Sequence, residues 1–183
     1  QAVLSALGRR FGVPLGRDRT ATVERLLAGG RSGARVQLGA ALEAELAFDR
    51  LILRRAAVGF AAVSLVPGGE VQAGRYRFRV AIGAEAGDPL QRQGHRTRLA
   101  AGEYLLRPWR PGDRIRPLGG RGSRPVAETF KEARVPRGDR SGWPVVVSRD
   151  DDATIVWVPG ICRSDARMPE PGAEALDVEC DLV

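Results

Sequence analysis

The only histidine in the chain, His95, limits the chemistry that its side chains can perform. One imidazole excludes a histidine-based metal site and a dyad of two histidines. Its polar neighbours, Gln91 to Arg98, mark it as a surface loop residue rather than the base of a nucleophilic pair. Cys162 and Cys180 lie 18 apart with no second pair to complete a zinc site, and two reduced core thiols are expected. Asp150-Asp151-Asp152 resembles a metal-binding acid run, but it falls between two strand patterns and reads as a solvated hairpin tip. Gly119-Gly120-Arg121-Gly122-Ser123 lacks the lysine and the spacing of a nucleotide-binding loop. It reads as a structural turn whose N–H groups could face a phosphate. No catalytic, cofactor-binding or metal residue is assigned.

What remains is electrostatic. The chain carries +7, and Lys131 is its only lysine among 29 basic side chains. Arginine bias can reflect a GC-rich genome, so position matters more than number. Residues 104–140 hold ten basic side chains against four acids, +6 in 37 residues. Such a run is either a solvated face or a polyanion-binding surface. Its confinement to one segment favours nucleic acid, because arginine forks match phosphate oxygens bidentately. Trp109 among the arginines offers a stacking surface.

The elements that must position these residues divide the chain. Val3, Leu4, Leu7 and Phe11 follow helical spacing to Gly12, and a second helix, capped by Asp18 or Thr20, ends at Gly29-Gly30. Val36 and Leu38 then alternate with polar residues, and Leu42–Phe48 and Leu51–Arg54 form strands around Asp49-Arg50. Phe60–Val66 and Arg75–Ile82 are further strands. In the second, Arg75, Arg77 and Arg79 share a face that reads as solvated rather than as an RNA-contacting row. Residues 83–102 lack periodicity and are expected to form a linker or long loop. Tyr104–Leu106, Val145–Val147, Thr154–Val158 and Leu176–Leu182 are strands, and a helix capped by Ser123 presents Val126 and Phe130. The expected class is α+β: a small helical and β-hairpin segment, then a small mixed α+β C-terminal domain. The expected boundaries are 1–82, 83–102 and 103–183. The longest apolar stretch, Ala56 to Val66, is broken by Gly59 and Ser64 and falls short of the ~18 residues of a membrane helix. Gln1-Ala2-Val3 has no basic n-region, so a cytoplasmic protein without a secretory leader is expected. The absence of an initial Met suggests a piece of something longer.

Four blocks then occur in order: Arg107-Pro-Trp-Arg-Pro-Gly-Asp-Arg-Ile115, Val135-Pro-Arg137, Trp143-Pro-Val-Val-Val147 and Ile155-Val-Trp-Val-Pro-Gly-Ile161. This set resembles the C-terminal domain of tRNA(Ile)-lysidine synthetases. Residues 1–55 are similar to that family's middle domain only in pattern, so 1–82 would be a middle, tRNA substrate-binding domain. The family's Lys-Lys-Leu-Lys-Asp run stands here as Arg124-Pro125-Val126-Ala127-Glu128. The resemblance implies a ligase that uses ATP to join L-lysine to the wobble cytidine of the CAU anticodon of tRNA(Ile). The family's ATP and magnesium belong to an N-terminal domain with a Ser-Gly-Gly-x-Asp-Ser loop, which this sequence lacks. The chain alone is therefore expected to bind no cofactor and to be inactive. Its expected partner is tRNA(Ile), without a membrane, and a homodimer stays open. The RNA contacts implied are Arg107, Trp109, Arg110, Arg114, Arg116, Arg121, Arg124, Lys131, Arg134 and Arg137, with Asp113 buttressing the turn and Trp143 and Trp157 in the core. Alternatives are a free-standing RNA-binding adaptor and a protein-docking domain.

Overall fold

Strict alternation of apolar and polar residues makes half-buried strands, and an unbroken apolar run makes a strand buried on both faces. Both kinds occur here. The computed structural model describes residues 2–56, 59–83 and 94–183. They form two compact units, Gln1–Ala57 with Pro136–Asp139, and Val58–Val135 with Arg140–Val183.

The first unit begins with helices α1 (Ala2–Arg10) and α2 (Arg17–Gly29). An antiparallel sheet follows in the order β1 (Ala34–Gly39), β2 (Leu42–Ala47), β3 (Arg50–Arg55). Leu4, Val13, Leu15, Val23 and Leu26 pack with Leu38, Leu42 and Ala44 in its core. The opposite face of β2 carries Glu43 and Glu45, both buried. Arg54 lies between them: Nε meets Glu43 Oε1 at 2.9 Å, Nη2 pairs with Glu45, and Nη1 reaches Asp139 at 3.2 Å. Glu45 also accepts the backbone N–H groups of Arg137 (2.7 Å) and Gly138 (2.8 Å). The expected cap at Asp18 or Thr20 is corrected. Gly16 occupies the N-cap of α2 without a side-chain cap bond, and Asp18 sits in the first turn, where its charge suits the helix dipole.

The second unit packs two antiparallel sheets around one core. Strands β4 (Val63–Leu65), β8 (Tyr104–Pro108), β11 (Pro144–Ser148), β12 (Asp151–Val158) and β13 (Cys162–Arg163) form one sheet, ordered β13-β12-β11-β8-β4. Strands β5 (Glu70–Ala73), β6 (Tyr76–Gly83), β7 (Arg96–Ala100) and β14 (Ala175–Leu182) form the other, ordered β5-β6-β14-β7. Tyr76, Phe78, Val80, Leu99, Leu106, Val146, Trp157 and Val178 fill the space between them. Trp157 is fully buried and meets Phe78 edge-on. Every residue of β11 is buried because the other face of its sheet has a second core, where Val145 and Val147 meet Ile115, Val126 and Phe130. Trp143 packs against both cores and donates its indole N–H to Pro159 O at 3.1 Å.

The α+β class is as expected, and the expected strands and helices exist. The domain edges differ. Strands β4 and β5 lie within 1–82 and β6 ends one residue beyond it, yet β4 pairs with β8, β6 with β14 and β5 with β6, all in the second unit. Within the expected linker 83–102, residues 84–93 lie outside the described residues. Residues 96–100 are strand β7, paired with β14. The row Arg77 and Arg79 is solvated as expected, and strand neighbours neutralise it. Arg77 meets Glu70 (3.4 Å), and Arg79 meets Glu179 (3.1 Å) and Asp181 (2.5 Å).

Candidate nucleic-acid interface

The basic segment rides on the second core of the second unit. After β8 the chain turns at 110–113, runs through β9 (Arg114–Ile115), loops over 116–123 and returns as β10 (Arg124–Pro125), antiparallel to β9. Helix α3 (Val126–Glu132) follows, with Val126, Thr129 and Phe130 inward. Lys131, Glu132 and Arg134 are therefore exposed. The expected cap at Ser123 is corrected: Pro125 holds the N-cap without a side-chain bond. Ser123 instead receives Arg114, whose Nη2 donates to its carbonyl at 2.7 Å and Nε to its hydroxyl at 3.2 Å. Arg114 thus braces the turn to the loop.

Asp113 closes the turn as expected, accepting the N–H of Arg110 at 2.8 Å. Gly112, at φ 96°, makes the turn sterically feasible. The assignment of Arg107 to RNA is corrected. It is 2% exposed, and its fork meets both oxygens of Asp113 at 2.9 and 3.0 Å. A guanidinium so enclosed cannot meet a phosphate without leaving a carboxylate buried and unpaired. Trp109 is corrected too. Its ring packs edge-on against Phe130 at 5.5 Å, and its indole N–H is buried with no acceptor among the described residues. It is half-buried against the core under the turn rather than standing free as a stacking platform.

The other candidates separate by their partners. Arg116, flanking buried Ile115, is held by Asp165 at 2.6 and 2.8 Å. The Arg116 hydrogen bond draws the Asp165 carboxyl below its usual range, and Arg116 is raised in turn. Arg124 pairs with Glu132, whose hydrogen bond raises it. Arg110, Arg121, Lys131 and Arg134 are exposed around the same turn, loop and helix. Arg134 sits at φ 53° just past α3, a left-handed position usually given to glycine. Arg137 is exposed and belongs to the first unit.

Arg163 was missed by sequence reasoning. It is 1% exposed and bonded to carbonyls alone: Nη1 donates to Val156 (2.6 Å), Ser164 (2.7 Å) and Ala166 (2.8 Å), and Nη2 to Arg167 (2.9 Å) and Arg98 (3.3 Å). Burial pushes it down to about 10, so it stays charged at neutral pH. This hub fixes the loop that carries Asp165, and the Arg163 carbonyl accepts Leu118 N–H at 2.7 Å. An arginine two residues after a glycine turn gives no sequence sign of such a role.

The other chemical candidates are structural. Cys162 and Cys180 are free thiols, pushed up to about 11 and about 12 by burial. His95 is exposed. Asp150 pairs with Arg167 at 2.6 Å, beside the turn from β11 to β12. No group of three or more His, Cys, Asp or Glu among the described residues could hold a metal ion. No helix of the described residues is long and apolar enough to cross a membrane.

Comparison with known proteins bears on the same segment. Residues 105–180 match the family model described as the TilS substrate C-terminal domain. The tRNA(Ile)-lysidine synthase of Symbiobacterium thermophilum is 39% identical over 74 residues, 40% of this chain and 15% of that protein. That of Geobacter sulfurreducens is 36% identical over 80 residues, 44% of this chain and 16% of that protein. The chain thus spans less than a fifth of the length of these relatives. A solved structure entitled "Crystal structure of TILS C-terminal domain" matches in fold with a TM-score of 0.57 at 21% identity, over 67% of this chain and 98% of that one. Residues 105–180 therefore match the TilS substrate C-terminal domain, and over that segment the chain is similar to the C-terminal region of tRNA(Ile)-lysidine synthases.

Proposed function

We propose that this chain is the tRNA-gripping part of a cytoplasmic tRNA(Ile)-lysidine synthase, with Arg110, Arg114, Arg116, Arg121, Arg124, Lys131 and Arg134 facing the RNA. The observation that carries this reading is the exposed basic turn, loop and helix on the domain that matches the family. Exposed arginines suit an A-form stem, which is engaged through phosphates, 2′-hydroxyls and shape. Separation of tRNA(Ile) from a methionine tRNA requires base-pair contacts as well. The ATP-dependent ligation of lysine to the CAU anticodon belongs to the part of the full-length relatives that this chain does not cover. Neither a Ser-Gly-Gly-x-Asp-Ser loop nor, among the described residues, a metal-holding cluster is present to fit ATP and magnesium.

The test is a salt titration of binding to tRNA(Ile) and methionine tRNA. Phosphate contacts predict a log K that falls steeply with log salt, by about 0.9 per contact. Arg110→Ala should weaken binding by about 1–3 kcal/mol at an unchanged melting temperature. No binding at low salt would refute the reading and favour a protein-docking domain.

A further inference from the structure

We infer that Asp165 and Glu132 are specificity-determining residues that mask Arg116 and Arg124, so that an incoming phosphate must displace a carboxylate from each. The inference rests on the RNA surface proposed above and adds a barrier to it. Two kinds of ion pair occur in this segment, and their surroundings differ. The Arg107–Asp113 pair is enclosed, with side chains 3% and 11% exposed, and its second acceptor bond is to the Arg110 backbone. It belongs to the fold. The Arg116–Asp165 pair is open on the arginine side, 61% against 30%, and the Arg124–Glu132 pair on the acid side, 34% against 64%. Pairs in such contact with water are weakly held and screened by salt. A phosphate that meets a guanidinium with two parallel bonds can replace them.

The acids come from elsewhere in the fold, and they do not serve as turn-closing groups as Asp113 does. Asp165 reaches Arg116 across 49 positions, from the loop fixed by Arg163, and the Asp165 N–H also donates to Arg116 O. Glu132 reaches Arg124 from the far end of α3. Arg121 lies between the two masked arginines in sequence and Lys131 beside Glu132, and neither has a carboxylate partner among the described residues. A flexible polyanion meets the unmasked cations first and gains little by opening the pairs. A rigid RNA whose phosphates lie opposite all of them at once displaces both acids together. Discrimination between folded and unstructured RNA follows from that difference.

The experiment compares the full chain with Asp165→Asn and Glu132→Gln in binding to tRNA(Ile) and to poly(U), each at two salt concentrations, with melting curves alongside. Each variant should bind poly(U) roughly three- to tenfold more tightly and steepen the log–log salt slope by about 0.7, the increment for one further phosphate contact on a single strand. The gain for tRNA should be smaller, so the ratio between the two RNAs narrows. In an Arg116→Ala background the gain from Asp165→Asn should vanish. Wild-type binding to tRNA, with natively folded variants whose affinity and slope are unchanged or reduced, overturns the masking and leaves the RNA surface standing. A wild-type chain that binds neither RNA at low salt overturns both. Should Asp165→Asn fail to fold, Glu132→Gln decides by the same readings, since it lies on the exposed side of α3.

Discussion

Arg107 and Arg110 are three positions apart in one basic motif, yet they have opposite roles. Sequence shows the charge of each but not its burial, and burial decides between a phosphate contact and an internal clamp. The end of strand β8 points Arg107 inward to Asp113, while Arg110 begins the exposed turn. Arg107→Ala should therefore destabilise the second unit by about 3–5 kcal/mol, the loss expected when one partner of a buried pair is removed. Arg107→Lys should rescue little, because an ammonium cannot meet both carboxylate oxygens in one plane. Urea unfolding measures both, and near-native stability in Arg107→Ala would put the clamp in error. Trp109 was misread for a related reason. A tryptophan between arginines resembles a stacking platform, and only the location of Phe130 shows that its ring packs against the core. Asp113, Trp143 and Trp157 were legible, since a turn acid and tryptophans within apolar strands have few alternatives.

Among strands and turns, legibility followed how local the signal was. The alternation of Tyr76, Phe78 and Val80 and the unbroken Val145–Val147 run identified β6 and β11, and the structure adds that β11 is buried on both faces. Caps were misplaced because Gly16 and Pro125 hold the helix starts without side-chain bonds, leaving no polar residue to signal them. One turn runs against its sequence. Ala40 and Ala41 join β1 to β2 with φ of 48° and 59°, where asparagine and glycine are the favoured pair. Left-handed alanine is strained, so Ala40→Asn with Ala41→Gly should raise stability by roughly 1 kcal/mol. A higher melting temperature checks this, and a lower one would mean that the turn is held by contacts the glycine loses.

The order of segments along the chain does not match the order of units, and here the sequence was least informative. Strand β14 pairs with β6 about 100 positions earlier, so a boundary drawn from composition near 82 cut through a sheet. Pairing partners leave no local trace in period or polarity. The same holds for Pro136–Asp139, which belongs with the first 57 residues. Gly138 lies against Arg54 and Glu43, where an added Cβ would overlap both. Alanine normally exceeds glycine in a helix by about 1 kcal/mol. Gly138→Ala should instead lose about 1–3 kcal/mol through overpacking. Amide exchange across β2 would register the loss, and slower exchange would contradict the crowding.

Glu45 takes its two backbone donors from positions 92 and 93 residues downstream. On a translating ribosome adding about 5–20 residues per second, β2 therefore waits roughly 5–20 s for those donors to be made. Until then its buried acid has only Arg54 for company. The first unit emerges first yet is completed only once residues 137 and 138 have followed, and during that interval it is a natural client for a holding chaperone.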